Sequence, residues 1–276
     1  MKSTLFLAIL ASGFLISFSG YAQINHIIDG GFLFYFFDYA EELPSPLRSA
    51  ESGWLPGFRV NYSYWNRDFA IFDRITLELT NARTDYNGTT QQGEPLTLKS
   101  DQGLISAELN AGYSFRRIGG GHVTISPYVG IGYRYWQRLI GDNDPRGLPE
   151  DYSWWYVPIG VQTAVEIRNK WMMQLDVAAR LMFSGSIKLD FGGVDSRLNS
   201  PIAELGSVLG WRVSMSSKYR ISDHFSASIG PWYEYSAIGK SNDVIVTQSG
   251  APLYRAYEPS SSTHLFGFDA AVIAEF

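Results

Sequence analysis

The chain has 276 residues, a formal net charge of -5, 15% aromatic residues, 18% charged residues and no cysteine. No nucleic-acid partner is expected, because that needs a clustered basic face, and disulfides cannot stabilise the fold. Many aromatics, few charges and near-neutral mean hydropathy do not suit a helical membrane protein; they suit a barrel with one apolar and one polar face.

Residues 1–22 read as a secretory signal. Lys2 supplies the basic start, Leu5 to Phe18 the apolar stretch, and Gly20-Tyr21-Ala22 the small residues before a cut at Gln23. The stretch is shorter than the roughly 20 residues of a spanning helix, and without a cysteine near the cut no lipoprotein anchor is expected. The remainder, 23–276, reads as one domain in which no comparable apolar run occurs.

From there on the dominant period is two. The first segment, Ile27 to Tyr39, is apolar on both faces, so its register is open. Asp73 would face outward in a strand starting at Phe69, so that strand is expected to begin near Arg74 or to carry a bulge. Ile105, Leu109, Ala111, Tyr113 and Phe115 alternate with Ser106, Glu108, Asn110, Gly112 and Ser114. Comparable splits recur over Trp155–Glu166, Met173–Ser184 and Leu209–Tyr219. In the last segment Phe266, Phe268, Ala270, Val272, Ala274 and Phe276 share one face, while Asp269 and Glu275 lie on the other. This is the signature of half-buried strands. Pro127, Pro158 and Pro231 fall inside strands, where bulges or bends are expected.

Connections alternate in length. Tight turns are expected at Asn66–Asp68, Arg117–His122, Arg168–Lys170 and Ser222–His224. Long polar loops are expected at 40–55, 81–102, 139–152, 192–207 and 242–261. Five loops and four turns imply about ten strands. Tyr64, Phe69, Phe115, Trp171, Tyr219 and Phe225 fall beside turns, whereas Tyr133, Tyr135, Trp155, Tyr233, Tyr235 and Phe266 fall toward loops, as in two interfacial girdles. The expected fold is all-β: a transmembrane antiparallel up-and-down barrel.

The signal segment, the alternating strands and the terminal Phe276 resemble the bacterial outer-membrane β-barrel superfamily. That resemblance implies a Gram-negative outer membrane, both termini in the periplasm, and contact with lipid and lipopolysaccharide. Phe276, preceded by apolar residues at every second position, looks like the signal that barrel-assembly machinery reads. The strand count is similar to that of omptin proteases, but their catalytic Asp pair and His-Asp pair are not recognisable.

The expected lumen face carries Arg59, Arg74, Glu78, Glu108, Arg134, Glu166, Asp176, Arg180, Arg212, Lys218, Glu234, Lys240 and Asp269. A ten-stranded interior is narrow. Opposite charges can pair into a plugged core or ring a narrow pore for small solutes. His26, His122 and His224 fall at the turn end. Ser262 and His264 share the outward face at the loop end, an arrangement similar to that of lipid A deacylases, and imply a lipid-modifying hydrolase as the alternative to a structural, interacting or porin-like protein. No carboxylate in the sequence must orient His264. Asp142, Asn143, Asp144, Glu150 and Asp151 form an acidic loop cluster that could hold a divalent cation or simply be solvated. Loops bearing Tyr86, Tyr254 and Tyr257 offer a surface for an outside ligand. No cofactor is expected.

Overall fold

The computed structural model describes residues 24–66, 69–90, 92–118, 122–141, 147–168 and 170–276. The signal segment lies outside them. In chain order the elements are β1 (Ile24–Glu41), β2 (Ser49–Asn66), β3 (Ile71–Thr89), β4 (Pro95–Tyr113), β5 (Phe115–Ile118), β6 (Val123–Ile140), β7 (Pro149–Arg168), β8 (Trp171–Leu189), α1 (Phe191–Val194), β9 (Ile202–Glu204), β10 (Leu209–Arg220), β11 (Phe225–Ile238), β12 (Val244–Gln248), β13 (Ala251–Ala256) and β14 (Ser261–Glu275).

Ten of these strands close into one antiparallel barrel in the order β1, β2, β3, β4, β6, β7, β8, β10, β11, β14. The seam is β14 against β1, running from Ile27 opposite Glu275 to Glu41 opposite Ser261. Closure pairs the backbone of both edges, the condition for a sheet that meets lipid. Strands also occur inside loops, but β9 only edges onto β8, and β12 and β13 form a separate hairpin. No helix among the described residues is long and apolar enough to cross a membrane.

The exterior is an apolar band. Phe32, Phe34, Phe58, Leu79, Ile159, Ile229 and Val272 each expose about half or more of their surface. In water such a continuous patch would be untenable; against acyl chains it is the required surface. Aromatic pairs edge the band, with Trp171 and Tyr219 at the turn end and Tyr133 with Trp155 at the loop end, ring centroids 4.8 and 4.9 Å apart. Beyond the loop-end girdle the outer face turns polar, for example at the Arg83–Asp101 ion pair of 2.6 Å.

The first three of the five expected loops are shorter than the sequence suggests, while the last two connections, 190–208 and 239–260, are not. The first spans only 42–48 and the second 90–94, because the flanking strands continue. A 19-residue strand such as β3 rises roughly 45–50 Å at a tilt near 40°, well past the band. The polar outer surface of these extensions made them look like loops.

Three further expectations are corrected. β3 begins at Ile71 in unbroken register with both neighbours, so Asp73 does face outward, opposite Tyr64 and Ala111, without a bulge. Pro127 against β7 and Pro231 against β14 keep their register. Pairing to β10 lapses opposite Pro231 and resumes on the same register, so the missing donor there costs a bond and not a bulge. Pro158 lies near a shift, between Trp155 and Tyr156, and β6 shifts against β5 at Val123 and Thr124, ahead of Pro127. The open register of β1 is resolved: even-numbered residues face lipid, while Leu33, Tyr35, Phe37 and Tyr39 point inward and are nearly fully buried.

Candidate functional site: a barrel plugged at one end and hollow at the other

The interior divides into three levels. At the loop end it is filled. Leu33, Phe37, Tyr39, Leu55, Trp136, Tyr152, Ile187 and their neighbours form one buried cluster. The Trp136 ring stacks on Tyr152 at 4.6 Å and meets Tyr39 edge-on at 5.2 Å. Above the rings lies a single buried guanidinium. Arg138 Nε donates to Glu51 at 2.6 Å, and Nη1 donates to Glu150 at 2.8 Å and Glu41 at 3.0 Å. Its Nη2 reaches Ser49, and its plane lies 4.6 Å from the Tyr39 ring.

A fourth carboxylate enters this nest from outside the wall. Glu258, in the loop between β13 and β14, is 3% exposed. Its Oε1 accepts from Tyr152 at 2.8 Å and Tyr39 at 3.4 Å. Its backbone is pinned to Ser241 in both directions. Burial, then the nearby Glu150 and Glu41, hold the Glu258 carboxyl well above the usual range. This nest was not foreseen. Its members fall where the sequence reads as loop or, for Arg138, at a strand's last residues.

The middle level is an ionic layer centred on Glu234. Its oxygens take Arg134 at 2.6 Å, Arg180 at 2.5 Å and Arg212 at 3.4 Å. Arg180 continues to Glu108 at 2.8 Å, and Arg212 to Glu78 at 3.0 Å. Tyr156 donates to Glu108 at 2.9 Å, with its ring over Gly132, where any Cβ would overlap it. A void of about 20 Å³ remains beside Arg134 and Glu234, room for about one water.

The turn end is hollow. A cavity of about 620 Å³ is lined there by Arg59, Arg74, Glu78, Glu108, Glu166, Asp176, Arg180, Arg212, Lys218 and Asp269. Most of these charges are paired: Arg59 with Asp269, Lys218 with Glu275, and Arg74 with Asp176 at 3.2 Å, which also accepts from Tyr128 at 2.6 Å. Arg134 and Glu234 lie one level up. Lys240 is not in the lumen; it is exposed at the loop end, its Nζ 4.0 Å from the centre of the Tyr257 ring.

Ser262 and His264 face outward above Phe266, in the outer aromatic row. His264 Nδ1 is bonded to the Tyr233 hydroxyl at 2.6 Å. The strand register sets Asp38 of β1 directly opposite His264, a carboxylate that sequence spacing could not locate. Asp142 and Asp144 lie outside the described residues. Among the described residues no group of three or more His, Cys, Asp or Glu could hold a metal ion.

No family model matches the chain, and no curated protein matches it. Solved structures do. The outer-membrane protease OmpT of Escherichia coli superposes with a TM-score of 0.60 at 10% identity, over 95% of this chain and 99% of that one. The outer-membrane protein OprG of Pseudomonas aeruginosa gives 0.42 at 11% identity over 93% and 98%, and the translocator domain of the autotransporter NalP of Neisseria meningitidis 0.43 at 8% over 94% and 90%. At these identities the likeness is one of fold.

Proposed function

We propose that this chain is a non-conducting barrel of the bacterial outer membrane, closed toward the cell exterior, with its turn end and both termini in the periplasm. In this reading its role is structural or interactive. The observation that carries it is the continuous filling of the loop-end lumen from Leu33 to Arg138, above an ionic layer with space for about one water. A narrow pore needs a wetted path; the lining of the 620 Å³ cavity reaches Glu108, Arg180 and Arg212, and the latter two pair with Glu234 above it. Planar-bilayer recording tests this, with no discrete openings expected; reproducible unitary steps would overturn it. The apolar band meets lipid and lipopolysaccharide. Phe276, exposed and backbone-paired with His26, is the residue offered to assembly machinery. Phe276→Ser should slow insertion in cells, and an unchanged rate would remove that role.

The second reading is a hydrolase acting on outer-leaflet lipid esters, with Ser262 as nucleophile and His264 as base. It is favoured by one observation, the placement of Asp38 opposite His264 on the lipid-facing surface. Mass spectrometry of lipid A with and without the protein decides it. An acyl pattern that is unchanged, or indifferent to His264→Ala, ends this reading.

A further inference from the structure

We infer that the mouth of the turn-end cavity, between β7, β8 and β10, is a binding site for a soluble anion of the phosphate or carboxylate class. The inference rests on the blind-cavity reading and gives that cavity an occupant.

The two ends of the barrel differ in charge. The turns with their flanking residues, 66–69, 114–123, 166–171 and 218–225, hold seven Lys or Arg against three Asp or Glu. The loop-end segments 41–51, 83–101, 138–151, 188–204 and 240–258 hold nine against fifteen. An anion approaching along the barrel axis is therefore drawn to the turn end and repelled by the other.

Within that end, commitment is uneven around the cavity. Arg59, Arg74, Arg180, Arg212 and Lys218 each have a carboxylate partner. Arg168, Lys170 and Arg220 also line the cavity, yet none has an ion pair among the described residues. They are held together: Arg168 pairs in register with Trp171, and the Arg220 amide donates to the Lys170 carbonyl at 2.9 Å. Two lining carboxylates, Glu166 and Asp29, likewise have no ion pair among the described residues, Asp29 accepting only from Asn61 at 2.6 Å. Three such cations against two such anions leave an excess of one charge.

The wall beneath them supplies neutral donors. Gln174, Ser214, Ser216 and Ser228 line the same sector, with Ser216 opposite Gln174 and Lys218 opposite Ser228. None of these four side chains has a hydrogen-bond partner among the described residues. Guanidinium, ammonium, hydroxyl and amide groups converging on one space are what an oxyanion requires. The source is soluble and not a lipid headgroup, because Ile167 and Ile221 turn to the lipid side and set Arg168 and Arg220 toward the cavity, while Lys170, its Nζ 6.0 Å from the centre of the Tyr219 ring, stands at the rim.

Calorimetric titration of the full chain in detergent with inorganic phosphate at low ionic strength tests this. Saturable binding is expected, weakening as chloride rises. Lys170→Gln with Arg220→Gln should weaken it at least about tenfold. Glu166→Gln, which removes a competing carboxylate, should tighten it. Arg197→Gln at the loop end should leave it unchanged. No saturable heat from the native chain overturns the site. So does a loss from Arg197→Gln equal to that from the mouth pair, or affinity indifferent to the mouth and Glu166 variants alike. Repeating the titration in nanodiscs of phosphatidylglycerol and of phosphatidylcholine separates the sources: binding abolished only by phosphatidylglycerol overturns the soluble assignment. Bilayer conductance tests the blind cavity by itself, so the two failures are distinguishable.

Discussion

Glu258→Gln is the perturbation that probes the loop-end closure most directly. The Arg138 fork is fully committed to Glu41, Glu51, Glu150 and Ser49, so Glu258 is left with two tyrosine hydroxyls and no cation. Its carboxyl is held well above the usual range by burial, then by Glu150 and Glu41. The sign follows from linkage. The closed state retains a proton that the released loop, with a carboxyl near 4.3, gives up. Closure is therefore complete at low pH and weakens as pH rises from about 4.3 through the higher value in the closed state. Over that window the loss is about 1.4 kcal/mol, a factor of about ten, per pH unit. Glutamine keeps the shape and the acceptor but cannot ionise. Amide hydrogen exchange at Ser241 and Glu258, whose amides are bonded to each other's residue, reads the closure. Comparing native and variant chains at each pH cancels the intrinsic pH dependence of exchange. Native protection should fall relative to the variant as pH rises, with equality below about pH 4. Parallel protection curves, or a variant less protected than the native chain at pH 8, would refute the reasoning.

The other predictions concern the remaining levels. Arg138→Met leaves Glu41, Glu51 and Glu150 buried without a cation and should cost about 3–5 kcal/mol, seen as a lower temperature for the heat-modified band on gels. Glu234→Gln keeps the volume but strips the shared anion from Arg134, Arg180 and Arg212. A comparable loss in urea unfolding from vesicles is expected, and a cost under about 1 kcal/mol would mean that water already neutralises the layer. Gly132→Val should force the Tyr156 ring off its seat and break its bond to Glu108, costing about 1–3 kcal/mol; a neutral effect would show that the ring has another home.

The lipid-facing exterior was legible because it depends only on parity along each strand. Phe266, Phe268 and Val272 declare their face within one segment, and the turn lengths supply the strand count. The plug was not legible, for two physical reasons. Its members come together through the closed register of the whole barrel, as when Arg138 meets Glu41 from 97 residues away. They also sit on strand extensions whose outward faces are polar, as are the buried inward Glu51 and Arg138, so the alternation of apolar and polar residues fades there. Asp38 escaped notice for the first reason alone: its neighbour His264 is 226 positions later and reaches it only across the seam.

Plug and pore look alike in a period-two pattern, since both put polar residues inside. They are separated by what shares the inward face. In β1 the inward residues change from Asn25, Ile27 and Asp29 at the turn end to Leu33, Tyr35, Phe37 and Tyr39 at the loop end. β7 does the same in reverse chain direction, from Glu166 and Gln162 to Tyr156, Trp154 and Tyr152. A water-filled channel would not concentrate large inward rings at one depth on several strands, because each ring left wet there forfeits its burial. Inward aromatics stacked at a common height, with polar and charged side chains prevailing at the other, mark a barrel stoppered at one end and hollow at the other. That apolar inward run is also why β1 offered no readable register: its two faces answer to lipid and to the plug, and both demand apolar side chains.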